Sequence, residues 1–111
     1  MNKFEIWLAN LNPSKGTELG KVRPVLVLQN TDLAGTHPYT LVCPFSSSQW
    51  RDNRFSVKYL KESTGLQRDS FLVIDQIRAL DNKRFIQRLG FLSEFYHSDV
   101  NSTLKILFDI T

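Results

Sequence analysis

The sequence predicts a small, mainly β fold closed by one C-terminal helix. Short apolar runs of strand length alternate or are β-branched, and Gly, Pro, Asn or Ser clusters break them. The tail changes period, with Tyr96, Val100, Leu104, Leu107 and Phe108 at helical spacing. At 111 residues the chain holds one core but not a core plus an accessory domain, so residues 1–111 read as a single domain.

Residues 4–11 place Phe4, Ile6, Leu8 and Asn10 on one face and Glu5, Trp7, Ala9 and Leu11 on the other. That is a strand buried on much of both faces. A polar, Gly-punctuated loop follows, carrying Lys15, Thr17, Glu18 and Lys21, and it delivers Arg23 to the start of a short apolar strand at residues 25–28. Pro24 fixes its own φ and pushes Arg23 out of the α region, so a cation is presented from constrained backbone. Residues 39–45 form a third strand, halted by Pro44, whose missing N–H suits an edge or a strand end. Ser46, Ser47 and Ser48 open a loop containing Arg51 and Arg54. Residues 55–60 make a fourth strand and Gly65 a turn. Residues 71–80 (FLVIDQIRAL) make the fifth and longest strand, and residues 85–89 add a sixth. Ser93 reads as the helix N-cap, with Glu94 in the first turn where the dipole favours it. Five or six strands and a helix laid against them describe a largely β barrel. The pattern does not set strand order.

The hydrophobic fraction of 41%, charged fraction of 23% and net charge of +3 are those of an ordinary globular protein, mildly suited to a polyanion. The lone cysteine, Cys43, excludes an intramolecular disulfide and fits a reducing compartment, where it serves as a small buried hydrophobe. No apolar run approaches membrane-spanning length, so a cytosolic chain with no membrane partner is expected.

Familiar sites fall away on spacing. Residues 16–21 (GTELGK) are one residue short of a P-loop, and Val22 stands where Ser or Thr must follow. His37 and His97 lack cysteine partners at metal spacing and read as surface residues, so neither a metal nor a cofactor is expected. What remains is a set of polar groups at strand ends: Arg23, Ser46 and Ser47, Thr17 and Glu18 on the long loop, and Asp75, Gln76 and Arg78 within an apolar run. Metal-free RNA cleavage needs little more. The substrate's own 2′-OH attacks phosphorus, while the protein supplies a proton acceptor, a cation and donors that hold the phosphate in line. Structural roles stay open beside this one: Arg23 as an ion-pair partner, Asp75 with Arg78 as a cross-face pair or turn-anchoring network, and the serines as plain loop. The residues alone reach a small β protein with an anion site.

Three ordered blocks go further. IWLANLNPSKGTELGKVRPVLVLQN at residues 6–30 resembles the amino-terminal signature of the MazF/PemK family of toxin endoribonucleases. CPFSSS at residues 43–48 resembles that family's strand ending in Pro-x-Thr/Ser. DSFLVIDQIRALDNKRFIQRLGFLS at residues 69–93 resembles its Asp-Gln strand and the Leu-Gly-x-Leu approach to the last helix. The resemblance implies an SH3-like, partly open barrel with a C-terminal amphipathic helix, assembled as a homodimer. Apolar surface around residues 6–11 and 71–77 points to the same assembly. It also implies the toxin of a type II toxin–antitoxin system, an endoribonuclease that cuts single-stranded mRNA sequence-specifically without metal, leaving 2′,3′-cyclic phosphate and 5′-OH ends. A cognate acidic antitoxin, with which DNA binding is shared, would block the site. Catalytic roles fall on Arg23, Ser46 and Glu18. Substrate-binding roles fall on Thr17, Lys21, Ser47, Asp75, Gln76 and Arg78.

The chain departs from members that place His before the loop glutamate and Arg two residues before the Asp, having Thr17 and Val73 there. That leaves Glu18 with Arg23 as the core, with Asp75 the competing base. The alternative is a CcdB-like, non-catalytic gyrase poison on the same barrel. Such proteins rely on a terminal Trp-Gly-Ile, whereas this chain ends Asp109-Ile110-Thr111.

Overall fold

A computed structural model describes residues 1–48 and 54–111. Among these, seven strands run β1 (Glu5–Asn10), β2 (Val22–Val27), β3 (Tyr39–Ser46), β4 (Ser56–Tyr59), β5 (Ser70–Val73), β6 (Arg78–Asp81) and β7 (Phe85–Phe91). A one-turn helix α1 (Lys61–Thr64) follows β4, and α2 (His97–Phe108) closes the chain. The sheet is antiparallel and unclosed, in the order β4-β5-β3-β2-β1-β7, with β6 also paired to β3.

β1 is an interior strand between β2 and β7, and its two-sided apolar pattern suits that place. Ile6 packs in a cluster with Leu26, Phe45, Leu72, Leu92 and Val100, whereas Ala9 and Leu11 join Val25, Val42 and Leu80. Register shifts between Ile6 and Trp7 and between Leu8 and Ala9 let one strand serve both cores. Ile6, Ala9, Leu11, Leu72, Val73 and Ile74 are buried within one chain, whereas Trp7, Leu8, Phe71 and Ile77 remain half-buried. Large exposed apolar groups lie elsewhere, at Phe91, Phe95, Ile106, Phe108 and Ile110.

The expected single strand over residues 71–80 is two strands along the same edge of β3. Between the pairs Phe45↔Leu72 and Val42↔Arg78, β3 advances three residues (45 − 42) and the facing chain six (78 − 72). The surplus bulges out as a turn closed by Gln76 N–H donating to Val73 O at 3.2 Å, and Asp75 and Gln76 ride on it. Their polarity marks a turn rather than an interruption of a strand.

Pro44 does not halt β3, which continues to Ser46. It sits where that edge passes from β6 to β5, so its missing N–H falls in a gap of the ladder. Arg23 and Pro24 lie inside β2 rather than before it, with Pro24 opposite Leu8.

Ser93 does not cap an α-helix. Its hydroxyl makes no capping bond, a 3-10 turn occupies Glu94–Tyr96, and α2 begins at His97. Val100 is buried and Tyr96 and Leu104 pack on the core, but Phe108 is exposed. His97 is no surface residue: its ring stacks on Phe4 at 3.7 Å, and Nε2–H donates to Leu92 O at 2.7 Å. Cys43 is fully buried, and burial together with the Asp75 charge pushes its thiol pKa up, as expected of an inert hydrophobe.

Candidate active site

Arg23 lies two residues before Val25 and Ser46 two after Pro44, and Val25 and Pro44 are paired. The arginine and the serine therefore stand at the same end of neighbouring strands. There they line one groove of about 710 Å³, with Lys21 and Ser47 at its rim and Leu8 and Phe45 beneath.

Backbone carbonyls aim the guanidinium. Nε–H donates to Gly20 O at 2.8 Å and Nη1–H to Phe45 O at 3.3 Å. A guanidinium carries five N–H donors, so three remain for a ligand. Among the described residues no carboxylate lies within ion-pair distance of Arg23; Glu5 and Arg88 form the one such pair. The reading of Arg23 as an ion-pair partner therefore fails for those residues. Partial burial draws its pKa below the ordinary value, since desolvation penalises the charged form, and a bound anion would relieve that penalty. Ser46 is buried, and its Oγ accepts from Ser48 N–H at 3.3 Å, which leaves the hydroxyl proton free to donate.

The other candidates gather next door, in a recess of about 210 Å³ lined by Glu18, Asp75, Gln76 and Arg78. Pro44 borders this recess, while Phe45 and Ser46 border the groove, so one step along β3 separates the two. Gln76 brackets Glu18: its Oε1 accepts from Leu19 N–H at 3.1 Å and its Nε2–H donates to Thr17 O at 3.0 Å. The Glu18 carboxylate accepts from Lys15 N–H at 2.9 Å. Arg78 donates to Leu11 O at 3.1 Å rather than pairing with Asp75, which is exposed. Gln76 and Arg78, expected to touch substrate, thus spend these bonds on the backbone of the β1–β2 loop. Thr17 enters through its carbonyl. Asn12 Oδ1 accepts from Lys21 N–H at 2.8 Å, and Leu11 N–H donates to Lys21 O at 2.8 Å, closing the loop's neck. Lys21 is held there at φ +67, a left-handed conformation costly for a residue with a Cβ.

The candidates therefore fall into two groups. Arg23, Ser46, Ser47 and Lys21 can grip and polarise an anion; Glu18 and Asp75 supply carboxylates beside it. Arg51 lies outside the described residues. Arg54 sits over the Phe55 ring at 5.1 Å. Sequence reasoning missed the part of the groove's lining that follows α1, Leu66, Gln67 and Arg68. A glycine turn followed by a cation was its only local signal.

The sequence and the fold recur in known toxins. Residues 2–108 match the family model described as PemK-like, MazF-like toxin of type II toxin-antitoxin system, and the chain belongs to that family. Within it, the chain is 34% identical over 108 residues to the endoribonuclease MazF of Staphylococcus epidermidis, covering 96% of this chain and 89% of that protein. The fold superposes on crystalline MazF from Deinococcus radiodurans with a TM-score of 0.83, at 24% identity, over 99% of this chain and 97% of that one. A MazE–MazF complex from the same organism gives 0.77 at 24% identity, covering 100% of this chain and 98% of that one.

Proposed function

We propose that this toxin cleaves single-stranded RNA at a short recognition sequence, without metal, by directing the substrate's 2′-OH at the adjacent phosphorus. The chain is a toxin endoribonuclease of a type II system, and the observation that carries the chemistry is the Arg23–Ser46 pair on one groove. Arg23 offers three donors to the non-bridging oxygens, where charge builds in the transition state. The Ser46 hydroxyl adds one neutral donor, and Lys21 and Ser47 hold the strand at the rim. Glu18 takes the 2′-OH proton, with its backbone fixed on both sides by the Gln76 amide. The O2′–P bond forms as the P–O5′ bond breaks, giving a 2′,3′-cyclic phosphate and, once the leaving oxygen is protonated, a 5′-OH. Cut-site mapping on a long single-stranded RNA in EDTA tests this. Discrete cuts at one recurring sequence are expected; cutting abolished by chelator, or spread over all sequences, would overturn it.

The working unit is a homodimer in the cytosol, neutralised by an acidic antitoxin segment. Exposed Phe95, Phe108 and Ile110 on and beside α2 supply apolar surface for assembly. Carboxylates on a peptide meet Lys21 and Arg23 as phosphates do. Titrating an uncleavable oligonucleotide against an acidic peptide, with light scattering as the readout, should give a dimer that carries one ligand or the other at each site. Independent saturation by both, or a monomer that retains activity, would refute this arrangement.

A further inference from the structure

The groove has a second cationic wall. Arg68 lines it together with the apolar Leu66 and Leu89, and no carboxylate pairs with it among the described residues. We infer that Arg68 is a substrate-positioning residue, which binds the backbone phosphate of a nucleotide flanking the cut while Arg23 holds the scissile one. This rests on the reading of the groove as the RNA site.

The segment carrying Arg68 is built to hold still. Asp69 Oδ1 accepts from Lys61 N–H at 2.9 Å, closing residues 61–69 on themselves. At its centre Gly65 takes φ +78 and donates to Lys61 O at 2.9 Å, while the buried Thr64 Oγ1 accepts from Leu66 N–H at 3.1 Å. The closed loop then docks on β7. Ser93 N–H donates to Ser63 O at 2.8 Å, and a Cβ on Gly90 would overlap the Thr64 carbonyl oxygen, so only glycine lets the two backbones approach this closely. Asp69 turns Oδ1 to the Lys61 N–H, and it forms no ion pair with Arg68. An exposed guanidinium on held backbone, without an ion-pair partner among the described residues and lining the same groove as Arg23, fits a strand that offers a second phosphate.

Arg68→Gln tests the inference, with cleavage of a short oligonucleotide followed at several salt concentrations. KM should rise roughly tenfold, as expected for loss of a bond to a charged group. The loss should fall on KM rather than kcat, and the salt dependence should flatten by about 0.7 in slope, the value for one phosphate on a single strand. A neutral methylphosphonate at the contacted flanking linkage should weaken wild type by the same factor and the variant no further. Arg68→Lys, which keeps the charge, should recover part of the loss. An unchanged KM and salt slope, or equal methylphosphonate penalties in both proteins at every flanking linkage, would overturn the role of Arg68. Failure of the wild-type protein to cut RNA at all would overturn the functional reading instead.

Discussion

Arg23→Ala should lose roughly a thousandfold in kcat/KM, the upper end of the range for one transition-state donor, because Arg23 also contributes a full charge. Its bonds to the Gly20 and Phe45 carbonyls leave three donors free, and alanine removes them all at once. Arg23→Lys keeps the charge but loses the planar fork, so it should remain strongly impaired. Ser46→Ala removes one neutral donor and should cost about tenfold, as for a single ordinary hydrogen bond. RNA affinity in Arg23→Ala should persist through the remaining cations. Single-turnover kinetics on a defined oligonucleotide, with thermal melting to check folding, decide the matter. A folded Arg23→Ala protein that cuts like wild type would move the active site out of the groove.

Replacing the 2′-OH at the cut site by hydrogen should abolish cleavage at that bond. In the proposed step the nucleophile belongs to the substrate, so no protein group can substitute for it. The oligonucleotide should still bind, with an affinity close to that of RNA, since Arg23 and Lys21 address phosphate oxygens. Mass spectrometry of the all-RNA control should find the 2′,3′-cyclic phosphate. Cleavage of the deoxy-substituted bond would point to an external water as nucleophile and exclude the mechanism.

Much of this was legible in the sequence because the signals were local. The two-faced apolar pattern of residues 4–11, the Arg-Pro step and the change of period in the tail each depend on neighbours along the chain. What the sequence obscured depends on pairing. Residues 71–80 read as one strand because every stretch of them suits a sheet; only the register against β3 shows six residues facing three. Pro44 read as a stop because its tolerance depends on where β3 changes partners. Gln76 and Arg78 were correctly singled out as polar groups in an apolar run, but their partners lie 59 and 67 residues away on the β1–β2 loop. Arg68 escapes a reading of the sequence because its place on the groove with Arg23, 45 residues away along the chain, is set by the fold. The resemblance fixed family and fold, yet the division of the site into groove and recess came from tertiary contacts alone.

The deep burial of Cys43 gives the chain a practical blankness. Its single thiol is sealed in the core, with a pKa pushed up by burial and by Asp75, so maleimides and methanethiosulfonates will pass it by. A cysteine introduced at an exposed loop position such as Lys15→Cys would then be the only site to accept a probe. One spin label or fluorophore there reports the movements of the β1–β2 loop without background, in a protein that needs no prior removal of cysteines.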